Sequence, residues 1–229
     1  MSTGVQVNGL TATKQWIADL KGQIPYATSV ALNKTGKEVI AAQKDEMRRV
    51  FDAPTPYTLA SLFKTTATKA NLETRTRIKK TTGDKEGQTD KHYVGVQIWG
   101  GQRKDKASEK RLRARGLLPH GYQMVPGAGL KLNQYGNVSG PRVSAILRAL
   151  GVNDRSYTIA AGTFVVGQVG KTRGIWKVQK NKWVPIFIFV KMPNYSALFD
   201  YYAVSETVFA KRWKSIFGEA IDSALRTAK

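Results

Sequence analysis

The chain has 229 residues, no cysteine and two histidines, and it carries only 16 Asp and Glu against 37 Lys and Arg. Without cysteine there are no disulfides and no thiolate chemistry. This fits assembly in a reducing cytoplasm. His92 and His120 are far apart, so a metal site built on them would need carboxylates. The carboxylates are scattered, and half of them stand beside a lysine or arginine. Within residues 52–115, Asp84 and Glu86 come nearest to a pair, in a segment (TTGDKEGQTD, residues 81–90) that reads as a loop. Two-metal hydrolysis wants clustered carboxylates, so a nuclease is not expected. Gly127-Ala-Gly129 follows no apolar strand, and no lysine follows a glycine run, so a phosphate-cradling nucleotide loop is not expected either. The expectation is a protein that is not an enzyme and carries no cofactor and no metal. Long apolar runs are missing as well. The longest, residues 183–190, is eight residues with a proline inside, far short of the roughly 20 needed to span a bilayer. The opening MSTGVQVNGL lacks a basic stretch followed by an apolar one, so no signal peptide is expected.

What is present is positive charge. The formal net charge is +21. It is concentrated in the middle: +2 over residues 1–63, +9 over 64–115, +9 over 116–195 and +1 over 196–229. A compact body repels itself at such charge unless a polyanion offsets it. Nucleic acid is the commonest such partner. An anionic membrane, or acidic neighbours in an assembly, would also serve.

The length suits one large domain or two small ones. Thr11 or Thr13 is expected to cap a short helix through Leu20, ended by Gly22. A long helix is predicted from Ile24 to Phe51, with Pro25 in its first turn and a weak point at Gly36. Asp52-Ala-Pro-Thr-Pro56 stops it. Residues 72–80 alternate and read as a solvated strand. HYVGVQIWG, residues 92–100, reads as a second strand by its β-branched and aromatic content, so the two suggest a hairpin arm. Ser108 is placed to cap a short basic helix over 109–115. Residues 119–140, rich in Gly, Pro, Asn and Gln, read as irregular. A short helix is expected over 140–150 and strands over 157–169, 174–179 and 183–190, the last two joined by Lys180-Asn-Lys182. A long helix from Ala197 to Thr227 shows an apolar stripe at Leu198, Tyr202, Phe209, Trp213, Ile216, Phe217, Ala220 and Leu225. The fold class is therefore α+β: an antiparallel sheet packed against two long helices, N-terminal and C-terminal, with extended basic loops. The sheet's other face is expected to carry much of the charge. The chain is read as a single domain, 1–229, with a basic strand-and-loop insertion over 54–170.

The sharpest local feature is the basic run Arg103, Lys104, Lys106, Lys110, Arg111, Arg113 and Arg115. On a helix, Arg111 and Arg115 share a face at four-residue spacing. The run suits phosphate contact without base readout. It also suits ion pairing with acidic patches on a neighbouring subunit, or a merely solvated face. No DNA-reading motif is present. The five tryptophans, Trp16, Trp99, Trp176, Trp183 and Trp213, read mainly as core. Trp176 and Trp183 flank the hairpin turn and are placed to pair across it. Pro185 cannot donate to a ladder, so its strand is expected at a sheet edge or its residue at a bulge. An edge strand invites subunit pairing, which makes Trp176, Trp183 and Pro185 candidate interface residues.

GIWKVQKNKWVPIFIFVKMP, followed by a long helix containing FAKRWKSIFGEAIDSALR, resembles the minor tail protein Z family of tailed phages. The segment IPYATSVALNKTGKEV resembles that family's opening helix. The resemblance covers roughly residues 14–51 and 170–228, under half of the chain. It implies a structural virion component, a tail-completion, neck or head–tail connector protein, assembled in the host cytoplasm. It implies a homo-oligomeric ring, contacts with other neck and tail proteins, non-specific contact with genomic DNA, and no membrane partner. The family brings no catalytic residues with it. The alternative is a non-specific DNA-binding or packaging-associated protein.

Overall fold

The computed structural model describes residues 10–79, 93–152, 164–180 and 182–227, with side chains from residue 21 onward. The class is α+β, with long N-terminal and C-terminal helices and antiparallel sheets. The chain divides into two compact units. The first takes residues 1–51, 56–92 and 199–229, and the second takes 52–55 and 93–198. The expected loop 81–90, the start of the strand at 157–163, and His92 lie outside the described residues.

The first unit is built on two helices. α1 (Leu10–Val50) is continuous for 41 residues, about 60 Å. It does not break at Gly22, and Pro25 sits inside it rather than in a first turn. Proline there removes only the amide that would meet the Lys21 carbonyl. The burial that follows on α1 offsets that loss. α6 (Tyr201–Thr227) runs antiparallel to α1. The seam is small and alanine-rich: Ala27 and Ala31 of α1 are buried against Ile216, Ala220 and Ala224 of α6. Small side chains let the two backbones approach, and each adds apolar burial at about 25 cal/mol per Å². Gln43, fully buried, donates to Ser205 Oγ at 2.9 Å. Beyond the helix ends Phe51 meets Phe199 edge to face at 5.8 Å. At the surface Lys34 pairs with Glu219 and Arg212 with Glu38. Exposed pairs such as these set register more than stability.

The predicted stripe on this helix is shifted. Asp200 caps it, its Oδ1 accepting the Ala203 amide at 3.2 Å, so the helix starts at Tyr201 rather than Ala197. Tyr201, Ile216, Ala220 and Ala224 are buried, whereas Leu198, Tyr202 and Phe209 are exposed. Phe209, Trp213 and Phe217, four residues apart, instead stack along the helix. Their centroids lie 5.2 and 5.3 Å apart at interplanar angles of 14° and 19°.

A short helix α2 (Pro56–Ala60) leads to β1 (Leu62–Lys64), antiparallel to β2 (Thr76–Ile78) with Leu62 opposite Ile78. Asn33 of α1 pins this ribbon. Its amide donates to the Ala67 carbonyl at 2.8 Å, and its Oδ1 accepts from Lys64 Nζ at 2.7 Å and the Ala67 amide at 3.1 Å. Gly36 is therefore not a weak point but a close approach. A Cβ there would lie 2.8 Å from Lys64 Cδ.

The second unit is a four-stranded antiparallel sheet in the order β3-β6-β5-β4 with helices α3 (Gly95–Trp99), α4 (Ala107–Ala114) and α5 (Gly140–Ala149). The strands are β3 (Tyr122–Pro126), β4 (Phe164–Val169), β5 (Thr172–Gln179) and β6 (Lys182–Lys191). Leu112 of α4 and Ile146 and Leu147 of α5 pack with Met124, Ile175, Phe187 and Phe189 of the sheet. The β5–β6 hairpin and α5 lie where the sequence places them. Residues 95–99 do not form the expected strand, and β2 pairs with β1 rather than with them. They form α3, because β-branched content is a weak preference that context overrides. β3 runs through the stretch expected to be irregular, between Gly121 and Gly127, and makes one edge of the sheet.

Pro185 pairs with Trp176 beside a register shift, since Ile175 pairs with Phe187 and Ile186 is the extra residue of a bulge. Its strand β6 is internal, however, with β3 and β5 on either side. The bulge, not an edge, absorbs the missing donor. Alternation along the strands puts Arg173, Lys177, Lys182 and Lys191 on the same side as Ile175, Phe187 and Phe189. The other side holds Val165, Trp176, Trp183 and Ile188, so it is apolar rather than basic. Gly174 allows β5 and β6 to close up, since a Cβ there would sit 2.2 Å from the Phe187 carbonyl oxygen.

The second unit's two ends are clasped together. Gly101 and Tyr195 exchange both backbone hydrogen bonds at 2.9 Å, and the Leu198 amide donates to the Gln97 carbonyl at 2.8 Å. Gly100 beside the clasp has φ +72, and a Cβ there would meet the Tyr195 carbonyl at 3.0 Å.

Candidate nucleic-acid interface

The basic run is positioned by α4 and the loop before it. α4 begins at Ala107 with Lys106 as its N-cap, not at Ser108. Glu109, three residues after the cap, accepts the Lys106 amide at 2.8 Å. This is the carboxylate half of a capping box, made without the usual cap hydroxyl. Glu109 is completely buried. Arg103 Nη1 and Nη2 donate to its two oxygens at 2.7 and 2.5 Å, and the Met124 amide of β3 donates at 2.9 Å. Burial pushes the Glu109 carboxyl up, but Arg103 and the two backbone amides outweigh that and hold it below the ordinary carboxylate range.

Arg113 is engaged in the same way. Its guanidinium makes a two-pronged ion pair with Asp105 at 2.9 Å, and donates to the Tyr122 carbonyl at 2.9 Å and to the Pro119 carbonyl. The Arg103 and Arg113 side chains are only 15% and 13% exposed. These two arginines of the run therefore act as internal ties: one joins the loop and α4 to β3, the other joins α4 to the 119–122 turn. Lys104, Lys106, Lys110, Arg111 and Arg115 are exposed.

These ties have an electrostatic consequence. Between residues 93 and 198 the sequence holds 17 Lys and Arg against three acids, Asp105, Glu109 and Asp154, a net of +14. Asp105 and Glu109 are consumed internally. Among the described residues of this segment no other carboxylate remains to offset the surface cations. The described part of segment 93–198 thus presents positive charge almost unmixed with negative.

The candidate interface residues of the hairpin are brought together only in part. Trp176 stands opposite Pro185, and Trp183 opposite Val178, so the two tryptophans do not pair across the turn. Trp176 is buried, and its indole N–H donates to the Gly167 carbonyl at 3.1 Å. Trp183 is 47% exposed, and Trp99, also expected in the core, is about half exposed. His120 is exposed in the turn before β3. Among the described residues no group of three His, Cys, Asp or Glu is placed to hold a metal ion. Among them too, no helix is long and apolar enough to cross a membrane. No family model, curated protein or solved structure matches the chain.

Proposed function

We propose that the protein is a structural virion component of a tailed phage, a tail-completion or neck protein that contacts genomic DNA without sequence readout. The observation that carries the DNA part is the +14 segment whose two described carboxylates are bound by Arg103 and Arg113. A surface of one sign suits a phosphate backbone, and protein–nucleic acid interfaces are far more positive than protein–protein ones. The virion part rests on the resemblance over residues 14–51 and 170–228. It is supported by the way the helical parts of those segments, far apart in sequence, meet as the α1–α6 pair. Reconstruction of purified virions tests it. Copies of this chain at the neck or tail end are the expected result. Virions without the chain, with the protein recovered free and bound to DNA, would favour the alternative of a free, non-specific DNA-binding protein, for which the same charge speaks.

A further inference from the structure

Resting on the DNA-contact part of that function, we infer that the backbone of duplex DNA seats in a cleft on the second unit between the 129–133 loop and α5, flanked by Lys131, Arg142 and Lys177. The cleft is open and about 470 Å³, with Lys131 and Arg142 among the residues that line it, together with Asn133 and Ser139. Its walls are tied to the sheet. The Gly129 amide donates to the Pro185 carbonyl at 2.8 Å, and a Cβ on Gly129 would meet Val184 Cγ1 at 2.5 Å. Val184 is the cross-strand partner of Lys177, and Lys177 is the partner of Phe164. The Arg142 guanidinium lies over the Phe164 ring, 5.9 Å from its centroid. The contacts thus run from one wall of the cleft, through Val184, Lys177 and Phe164, to Arg142 on the other wall. Cross-strand partners have Cβ atoms about 5 Å apart. Lys177 therefore extends the line of charge begun by Lys131 and Arg142.

Chemistry chooses the occupant. Lys and Arg supply only donors, and the Ser139 hydroxyl and Asn133 amide can donate as well. The complementary group is an anion rich in acceptor oxygens. A small free anion would be satisfied by two or three cations and would leave most of the +14 uncompensated. A chain of phosphates would not. An acidic protein surface fits less well, because lysine is depleted at protein–protein interfaces. Single strands are held largely by stacking bases on open aromatic rings. Here Phe164 is covered by Arg142, and Trp183 alternates onto the opposite side of the sheet. Backbone contact with a duplex remains. Lys131 and Arg142 are exposed and Lys177 is half-buried, and among the described residues none of the three is held by a carboxylate in an ion pair.

The test is titration of the full-length protein with a labelled duplex at several salt concentrations, for wild type, a Lys131→Gln/Arg142→Gln/Lys177→Gln variant and a charge-keeping Lys131→Arg/Arg142→Lys/Lys177→Arg variant. Each phosphate neutralised contributes about 0.9 to the log–log salt slope. The glutamine variant should lower that slope by about 2 to 3 units, equally for unrelated sequences, and the charge-keeping variant should hold it. Thermal melting of all three checks that they fold. A folded glutamine variant with the wild-type slope would overturn the cleft while leaving DNA contact standing. A wild-type protein that binds no duplex would overturn both. Equal competition by poly-glutamate, by vesicles of an anionic phospholipid or by single-stranded RNA would overturn the choice of duplex DNA as occupant.

Discussion

Replacing Glu109 by glutamine keeps the shape of the side chain and removes its charge, and this separates the buried ion pair from simple packing. In the folded protein Glu109 accepts four hydrogen bonds, two from Arg103 and one each from the Lys106 and Met124 amides. Glutamine offers one oxygen in place of two and turns an NH₂ group toward the guanidinium. Breaking a buried pair from one side costs about 3–5 kcal/mol, because the partner charge is left without compensation. Arg103 keeps 15% exposure and can turn partly to water, which places the loss at the low end, about 3 kcal/mol. That is a rise of about two decades in the unfolded fraction, against a total stability of about 5–15 kcal/mol. Urea unfolding followed by tryptophan fluorescence should show a lower midpoint with an unchanged slope. Exchanging both partners, Arg103→Met with Glu109→Gln, should recover much of the loss. The acid limb gives a second readout. The folded-state pKa of Glu109 lies below its unfolded value. Its contribution is therefore fully present above the unfolded value of about 4.3 and is lost as the pH falls through the folded one. The glutamine variant should lack that part of the acid transition. A variant within about 0.5 kcal/mol of wild type at neutral pH, with an unaltered acid limb, would refute the assignment of Glu109 as the tie between α4 and β3.

Within the same basic run, Arg113→Gln should cost about 2–3 kcal/mol by releasing Asp105 and the two carbonyls, whereas Lys110→Gln, at an exposed position, should stay within about 0.5 kcal/mol. Chemical denaturation of the two variants side by side checks this, and equal losses would contradict the division of the run. Trp213→Ala removes the middle ring of the Phe209–Trp213–Phe217 stack. Trp213 is half-buried, so the cost should fall below the 3–5 kcal/mol of a fully buried ring, at about 2–3 kcal/mol. Loss of helical circular dichroism at a lower temperature is the expected signal, and an unshifted melt would show that the stack contributes nothing.

Legibility from sequence follows how local the cause is. α5 could be placed from Gly140-Pro141, and the β5–β6 hairpin from Val, Ile, Phe and Trp on either side of the 180–182 turn, because these signals lie inside the element. α1 was legible as a helix but not as one unbroken helix, since what carries it past Gly22 and Pro25 is burial against α6, almost 200 residues on. β3 is five residues between glycines, too short to show periodicity, and it exists because β6 pairs with it. Residues 95–99 show the reverse error, in which strand-forming composition yields to a helix. In the basic run, Arg111 and Arg115 are exposed as their spacing suggests. Arg103 and Arg113 find Glu109 and Asp105 six and eight positions away across a loop. No helical or strand spacing announces such a pair. Lys131 lies in a loop, Arg142 on α5 and Lys177 on β5, so no spacing in the sequence groups them.

The clasp between residues 97–101 and 195–198 bears on the order in which the protein folds. Joining Glu38 to Arg212 closes a loop of 174 positions. Once Gln97 and Leu198 are bonded, about 100 of those positions no longer wander, and the remaining closure is cheaper by somewhat under 1 kcal/mol. The meander β4–β5–β6 is made of near neighbours and can form early. The late step is then the docking of α6 onto α1. That makes the clasp a control on the rate of folding more than on final stability. Loosening it, for instance at Gly100, would leave α1 and its alanine seam without a partner for longer, with its apolar side open to other chains.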